Sequence, residues 1–135
     1  MRVVLDTNVL IAAFIARGVC SDLLEHCVQH HRLVTSEFIL GEFRKTMTRK
    51  FKFKPQDVNE AEALLRSRIE VVAPQKLKTS ASRDSDDDIV IGTAIAANAD
   101  CIVTGDKDLL VLGSYQSTPI IPPSEFVNFE AVWKK

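Results

Sequence analysis

The stretches Arg2-Val3-Val4-Leu5-Asp6 and Cys101-Ile102-Val103-Thr104-Gly105-Asp106 decide the fold. Each is a short apolar run that leads to an acidic residue. Continuous apolar runs of this kind are typical of strands that are buried on both faces of a parallel sheet. Because ligands bind outside the carboxyl ends of such strands, Asp6 and Asp106 are predicted to share one site. The alternative is that both are ordinary turn residues, since Asp is common where strands stop.

Between these two stretches the chain alternates predicted strands and helices. We expect strands at 2–6, 32–35, 69–73, 101–104 and 118–121, and helices at 9–16, 20–30, 36–50, 56–67, 87–98, 107–112 and 124–131. This alternation predicts right-handed βαβ crossovers and an α/β fold, with a parallel sheet between helical layers. Residues 75–85 read as a polar loop, and no linker or repeat divides the chain, so one domain over residues 1–135 is expected.

Composition indicates an ordinary globular protein. A chain of 135 residues that is 46% hydrophobic can bury roughly two-thirds of its unfolded surface without a disulfide or structural metal. Cys20, Cys27 and Cys101 have neither zinc-site spacing nor an even number, so reduced thiols are expected. The amino terminus reaches Asp6 too early for a signal peptide, and no stretch has the length of a membrane helix. These features predict a cytoplasmic protein.

One segment is strongly basic although the net charge is only −1. Its cations are Arg44, Lys45, Arg49, Lys50, Lys52 and Lys54, and Phe43, Phe51 and Phe53 lie among them. Such a segment can bind phosphates while its aromatic rings stack on unpaired bases. It can equally be a solvated helix end, where the helix dipole favours cations, with phenylalanines that belong to the core. The sequence leaves both readings open.

Further polar side chains accompany the two strand ends. Glu42 lies at the margin of a predicted apolar helix face, where an ionised carboxylate requires solvent, a cation or an arginine. Thr104 offers a hydroxyl beside Asp106. Asn8 is predicted to cap the helix after Asp6 or to orient Asp6 or a metal-bound water. Asp108 is expected to cap the helix that contains Leu109 and Leu110, with metal binding as the alternative.

The run Asp86-Asp87-Asp88 opens another predicted helix, and capping and dipole effects alone could explain all three carboxylates. If Ser85 caps this helix, Asp86 and Asp87 lie in the exposed first turn. Asp88 then lies on the helix side that continues through Gly92, where another element can approach. This register favours Asp88 as the residue that faces the site.

The histidines raise the question of a zinc site. His26 and His30 are four residues apart on a predicted helix, and Cys27 is adjacent to His26. No glutamate follows His26 as the metalloprotease motif requires, and the helix is otherwise amphipathic. The local pattern therefore does not predict zinc.

Taken in order, these motifs resemble the PIN domain family, in particular the VapC-like toxins of prokaryotic toxin-antitoxin pairs. The resemblance rests on the segments 3–8, 36–42, 83–88 and 99–110. It implies that the family's four acidic residues correspond to Asp6, Glu42, Asp88 and Asp106, with Asn8 and Thr104 as supporting groups. Asp88 is preferred to its neighbours because its distance from Asp106 matches the family's spacing.

The resemblance also implies a three-layer α/β/α fold, dependence on Mg²⁺ or Mn²⁺, hydrolysis of RNA phosphodiester bonds, homodimers, and often inhibition by a small antitoxin. Carboxylate oxygens suit such hard cations, which can activate a bound water. Two other functions are considered. A haloacid-dehalogenase-type phosphatase needs a second aspartate where Asn8 stands. A non-catalytic PIN scaffold would retain clustered carboxylates that repel one another without a catalytic role.

Overall fold

A computed structural model describes residues 1–133, which alternate strands and helices as predicted. The strands are β1 (Arg2–Leu5), β2 (Arg32–Thr35), β3 (Glu70–Val71), β4 (Cys101–Val103), β5 (Ser114–Tyr115) and β6 (Thr118–Ile121). The helices are α1 (Thr7–Ile15), α2 (Val19–His30), α3 (Glu37–Arg49), α4 (Pro55–Arg68), α5 (Ser85–Ala96), α6 (Lys107–Leu110) and α7 (Phe126–Trp133), and a 3₁₀ turn (Pro123–Glu125) precedes α7. The short strand β5 is not among the predicted elements.

The strands form one sheet in the order β3-β2-β1-β4-β6-β5. All neighbours pair in parallel except β5 and β6, which form an antiparallel hairpin. From β1 the chain proceeds to β2 and β3 on one side and then returns to β4 on the other side of β1. Because crossovers are right-handed, this reversal places α5 on the face opposite the earlier helices. The predicted α/β/α arrangement with a mainly parallel sheet is confirmed.

The central strands are buried on both faces, which explains their continuous apolar sequences. Val3, Val4 and Ile102 are fully buried. In α3 the inward residues recur at helical spacing, and Phe43 and Met47 are fully buried there. The sheet is therefore a rigid base for the residues that follow β1 and β4.

The polar segment before α5 packs closely against that helix. The Gln75 amide donates a hydrogen bond of 2.9 Å to the Gly92 carbonyl oxygen. A Cβ atom built on Gly92 would lie only 2.2 Å from the Gln75 carbonyl oxygen. Gly92 thus permits a close backbone approach, as its sequence position suggested. The approaching element is this segment, so the Gly92 side of α5 faces away from the strand ends.

No single helix within residues 1–133 is long and apolar enough to span a membrane. Helices α1 and α2 satisfy the length and composition requirement only together, and they are bent by 106° relative to each other.

Candidate metal centre and active site

Asp6 and Thr104 face each other at the carboxyl ends of the two central strands. Leu5 pairs with Val103 in the ladder, so the residues that follow them are neighbours. The Thr104 hydroxyl donates a hydrogen bond of 2.7 Å to Oδ2 of Asp6, while Oδ1 accepts one of 2.7 Å from the Thr7 amide. Asp6 therefore caps α1 and is held in one orientation. The site lies where the strand order reverses, which is the usual ligand position in open α/β sheets.

The loop after β4 is fixed by the same polar groups. The Asp106 amide donates to the Thr104 hydroxyl oxygen at 3.0 Å, and the Gly105 amide donates to Oδ1 of Asn8 at 3.1 Å. The predicted helix-capping role of Asn8 is wrong, because Asp6 performs it. Asn8 instead joins α1 to the loop that carries Asp106.

The acidic run at the start of α5 contributes Asp87. The helix is capped by Asp84, whose carboxylate accepts a hydrogen bond of 2.9 Å from the Asp86 amide. This cap lies one residue earlier than the expected Ser85, and each residue turns a helix by about 100°. Asp87 lines the cleft and is only 4% exposed, so it points inward. It accepts a hydrogen bond of 2.9 Å from the Ser82 hydroxyl.

Asp88 lies outside this cleft, contrary to the sequence-based expectation. Its carboxylate accepts hydrogen bonds from the Ser80 hydroxyl at 2.8 Å, the Ala81 amide at 3.0 Å and the Ser82 amide at 3.1 Å. These contacts hold the end of the polar segment against α5. The physical reason for the error is the helix register, since Asp88 shares the side of Gly92, which the polar segment covers.

The carboxylates that converge in the cleft come from separate elements. The cleft has a volume of about 390 Å³, and its acidic lining residues are Asp6, Glu42, Asp84, Asp86, Asp87 and Asp106. Oxygen atoms of Asp87, Asp106 and Asp108 lie within 4.8 Å of one another. Glu42 projects from α3 with its side chain 34% exposed, and the nearest cation, Lys45 Nζ, is 4.0 Å away. The predicted residues Asp6, Glu42 and Asp106 are therefore brought together.

Electrostatics in the cleft reflect burial and carboxylate repulsion. The pKa of Asp87 is raised to about 7, chiefly by burial and also by Asp106 and Asp84, against a lowering hydrogen bond from Ser82. Burial and, to a smaller extent, Asp106 raise the pKa of Asp6, while hydrogen bonds from Thr104 and Thr7 lower it. A divalent cation would relieve this repulsion. The donor set is entirely oxygen and so fits a hard cation such as Mg²⁺ or Mn²⁺.

The basic segment is divided between two roles. Among the residues that the structure describes, Lys50 is the one of these six cations that lines the cleft. Arg44 instead donates to Glu62 at 2.9 Å and to Asn59 at 2.7 Å, which ties α3 to α4. Phe43 is fully buried in the core, whereas Phe51 lines the cleft.

Apolar residues also line the cleft, and Phe51 is the one that the sequence singled out. They are Ile11, Ala12, Ile15, Phe38, Phe51 and Val90. Ile15 is 40% exposed, and Lys50 Nζ lies 5.5 Å from the centre of the Phe51 ring. The cleft thus combines carboxylates, apolar side chains and a cation. Asp84 was also not identified as a lining residue from the sequence, although Asp is a typical N-cap residue at the start of a helix.

Together the fold and this cleft define an α/β protein with an acidic candidate site at the switch point of a parallel sheet. The family model described as PIN domain matches residues 2–108, which is most of the chain. The chain therefore belongs to the PIN domain family, as its motifs suggested. This membership excludes the phosphatase alternative. No curated protein matches the sequence significantly.

Solved structures with the same fold include two VapBC complexes. VapBC-1 from nontypeable Haemophilus influenzae is 20% identical, with a TM-score of 0.65 over 92% of this chain and 99% of that chain. VapBC2 from Rickettsia felis, solved with a DNA fragment from its promoter, is 18% identical, with a TM-score of 0.62 over 89% and 97%. FitAcB from Neisseria gonorrhoeae is 14% identical, with a TM-score of 0.55 over 90% and 98%. At these identities the likeness establishes the fold.

Proposed function

We propose that the chain is a divalent-metal-dependent endoribonuclease that hydrolyses RNA phosphodiester bonds. The observation that carries the proposal is the convergence of Asp6, Glu42, Asp87 and Asp106 on one cleft in a PIN domain. Asp87 replaces the expected Asp88 in this set because of its inward orientation. Mg²⁺ or Mn²⁺ held by these carboxylates would supply charge neutralisation for the phosphate and an activated water.

The remaining groups of the site have positioning roles. The Thr104 hydroxyl orients Asp6, and the Ser82 hydroxyl orients Asp87. Lys50 is placed to attract a phosphate into the cleft. None of the roles assigned here requires a Ser, Cys or His nucleophile.

The substrate class follows from the lining of the cleft. An unpaired base can rest on Phe38 and Phe51 while the adjoining phosphate faces the carboxylates. Base pairing would prevent this insertion, so single-stranded RNA is the proposed substrate. The cytoplasm is the proposed location, since transcripts are accessible there.

A cognate antitoxin and a homodimer are the proposed partners, in keeping with the VapC-like resemblance and with structural likeness to VapBC complexes. The chain exposes large apolar side chains that a partner could cover. They are Ile15, Val19, Leu64, Val71, Val111, Val127, Val132 and Trp133. Light scattering of the purified chain, alone and coexpressed with the product of an adjacent short reading frame, tests both partners. A strict monomer that binds no such product would contradict them.

The activity is tested on single-stranded RNA with Mg²⁺ or Mn²⁺, using wild type, Asp6→Asn and Asp106→Asn. We expect cleavage by wild type that chelation abolishes, and no cleavage by either variant, while circular dichroism shows both folded. RNA binding without cleavage in wild type would instead indicate the non-catalytic scaffold. Unchanged cleavage in both variants would place the active site elsewhere.

A further inference from the structure

A second cluster of metal-ligating side chains lies apart from the acidic cleft. Nε2 of His26 is 2.7 Å from Oε2 of Glu130, and Nε2 of His31 contacts the same oxygen. The three donor atoms lie within 4.8 Å of one another. His26 belongs to α2, His31 follows α2 directly, and Glu130 lies in α7. None of the three lines the acidic cleft.

We propose that His26, His31 and Glu130 form a zinc-binding site that fastens α7 to the end of α2. Two imidazole nitrogens and one carboxylate oxygen are a donor set that favours Zn²⁺ over Mg²⁺. Three protein ligands leave one tetrahedral position for water. None of the three residues lines the acidic cleft, so this site is separate from the proposed catalytic centre.

Packing preorganises the donors. The His31 side chain is 4% exposed and that of Glu130 14%, whereas that of His26 is 41% exposed. The His31 ring packs edge-on to Phe126 with ring centres 5.8 Å apart, and the Phe126 side chain is buried in the core. The two donors with little exposure, His31 and Glu130, are therefore fixed by their surroundings, and an ion enters past the exposed His26 ring.

The three donors must move apart to bind zinc. Zn–N and Zn–O bonds of about 2.0–2.1 Å separate tetrahedral donors by roughly 3.3 Å. The His26–Glu130 contact of 2.7 Å must lengthen by about 0.6 Å to admit the ion, and the shorter His31–Glu130 contact must lengthen further. Nδ1 of His31 lies 3.2 Å from the Met1 amino nitrogen. When Nε2 binds metal, the imidazole proton lies on Nδ1, so the Met1 amine must be in its neutral form to accept a hydrogen bond from it. Local sequence spacing could not reveal this set, since 99 residues separate His31 from Glu130.

The site is tested with Co²⁺ as a spectroscopic substitute for Zn²⁺, in millimolar Mg²⁺ to occupy the carboxylate cleft. Four-coordinate Co²⁺ absorbs visible light strongly, whereas six-coordinate Co²⁺ bound by oxygen ligands absorbs weakly. We expect wild type to develop the intense absorption, and one equivalent of Zn²⁺ to remove it. His26→Gln and Glu130→Gln should weaken Co²⁺ binding by at least about tenfold, the loss typical of disturbing even an outer-shell partner.

His30→Gln is the matched control, because His30 packs against the His26 ring at 4.7 Å but belongs to no group of potential ligands within residues 1–133. It should retain the absorption. Since His26 is partly exposed, His26→Gln should fold even if Glu130→Gln does not. Absence of the intense absorption in wild type, or its survival in folded His26→Gln, would overturn the proposal. Neither result depends on whether the acidic cleft cleaves RNA.

Discussion

At the scale of single residues, adjacent aspartates in α5 have opposite surroundings. Asp87 is buried among carboxylates and has a raised pKa, whereas Asp88 accepts three hydrogen bonds from residues 80–82. Successive residues of an α-helix are rotated by about 100° about its axis, so the two side chains point in different directions. Asp87 thus destabilises the metal-free fold, while Asp88 stabilises it.

Substitution of each aspartate should therefore change stability in opposite directions. In EDTA at neutral pH, Asp87→Asn should have a higher melting temperature than wild type, because it removes a carboxylate whose ionisation the fold opposes. Asp88→Asn should lose about 1–2 kcal/mol, because hydrogen bonds to a charged acceptor are lost. Thermal melts measure both changes. Equal destabilisation by the two variants would contradict the assigned orientations.

The same pKa predicts a pH dependence. With the pKa of Asp87 raised to about 7, the metal-free folded state binds more protons than the unfolded state between roughly pH 4 and 7. The stability of wild type relative to Asp87→Asn should therefore fall as pH rises through this window. Denaturant titrations in EDTA at several pH values measure the difference. A constant difference would show that Asp87 is not perturbed.

Thr104 tests how the site positions its carboxylates. Its hydroxyl bridges Asp6 and the Asp106 amide, so Thr104→Val should reduce metal affinity or cleavage about 10–100-fold. Thr104→Ser retains the hydroxyl and should recover most of the loss. Metal titration followed by melting temperature, together with cleavage rates, provides the comparison. If Thr104→Ser is as impaired as Thr104→Val, packing of the methyl group matters more than the hydrogen bonds.

At the scale of elements, the segment before α5 controls which side of the helix faces the cleft. Gly92→Ala should cost about 1–3 kcal/mol, because the added methyl group meets the Gln75 backbone. Gly41→Ala is the control, since no atom of another element in the described part of the chain lies within 4 Å of its added Cβ, and the helix interior should gain roughly 0.5–1 kcal/mol. Denaturant melts of both variants measure these effects. A stabilised Gly92→Ala protein would contradict the close approach.

Most elements could be predicted because their signals are local. The apolar runs of β1 and β4 are examples. The hairpin strand β5 was missed because Gln116 and Ser117 adopt positive φ in its turn, where Gly or Asn is the usual signal. The cap of α5 was misplaced by one residue because both Asp84 and Ser85 are good caps.

At the scale of the whole molecule, the strand ends of the candidate site were predictable, but its long-range partners were not. Asp6 and Asp106 follow from the rule for parallel sheets. The inward turn of Asp87 depends on packing against residues 75–82, and the link between His31 and Glu130 depends on where α7 docks. Neither has a signal in local sequence spacing.

The distribution of charge over the molecule predicts which cations bind RNA. Lys50→Gln should weaken binding and make its salt dependence shallower by about 0.7 in logarithmic slope, the contribution of one single-strand phosphate contact. Arg44→Gln should leave the slope unchanged, because Arg44 is engaged by Glu62. Binding measured at several salt concentrations tests both. A larger effect from Arg44→Gln would mean that RNA follows α3 and α4 instead of the cleft.

The most direct test of the metal-dependent cleft is RNA cleavage by Asp87→Asn and Asp88→Asn under identical Mg²⁺ or Mn²⁺ conditions. The proposed site predicts that the cleavage rate of Asp87→Asn falls at least about a hundredfold. The substitution weakens the binding of a metal ion that stabilises the charge of the transition state by several kcal/mol. Asp88→Asn, once shown to be folded, should cleave at nearly the wild-type rate. An active Asp87→Asn protein beside an inactive, folded Asp88→Asn protein would contradict the account.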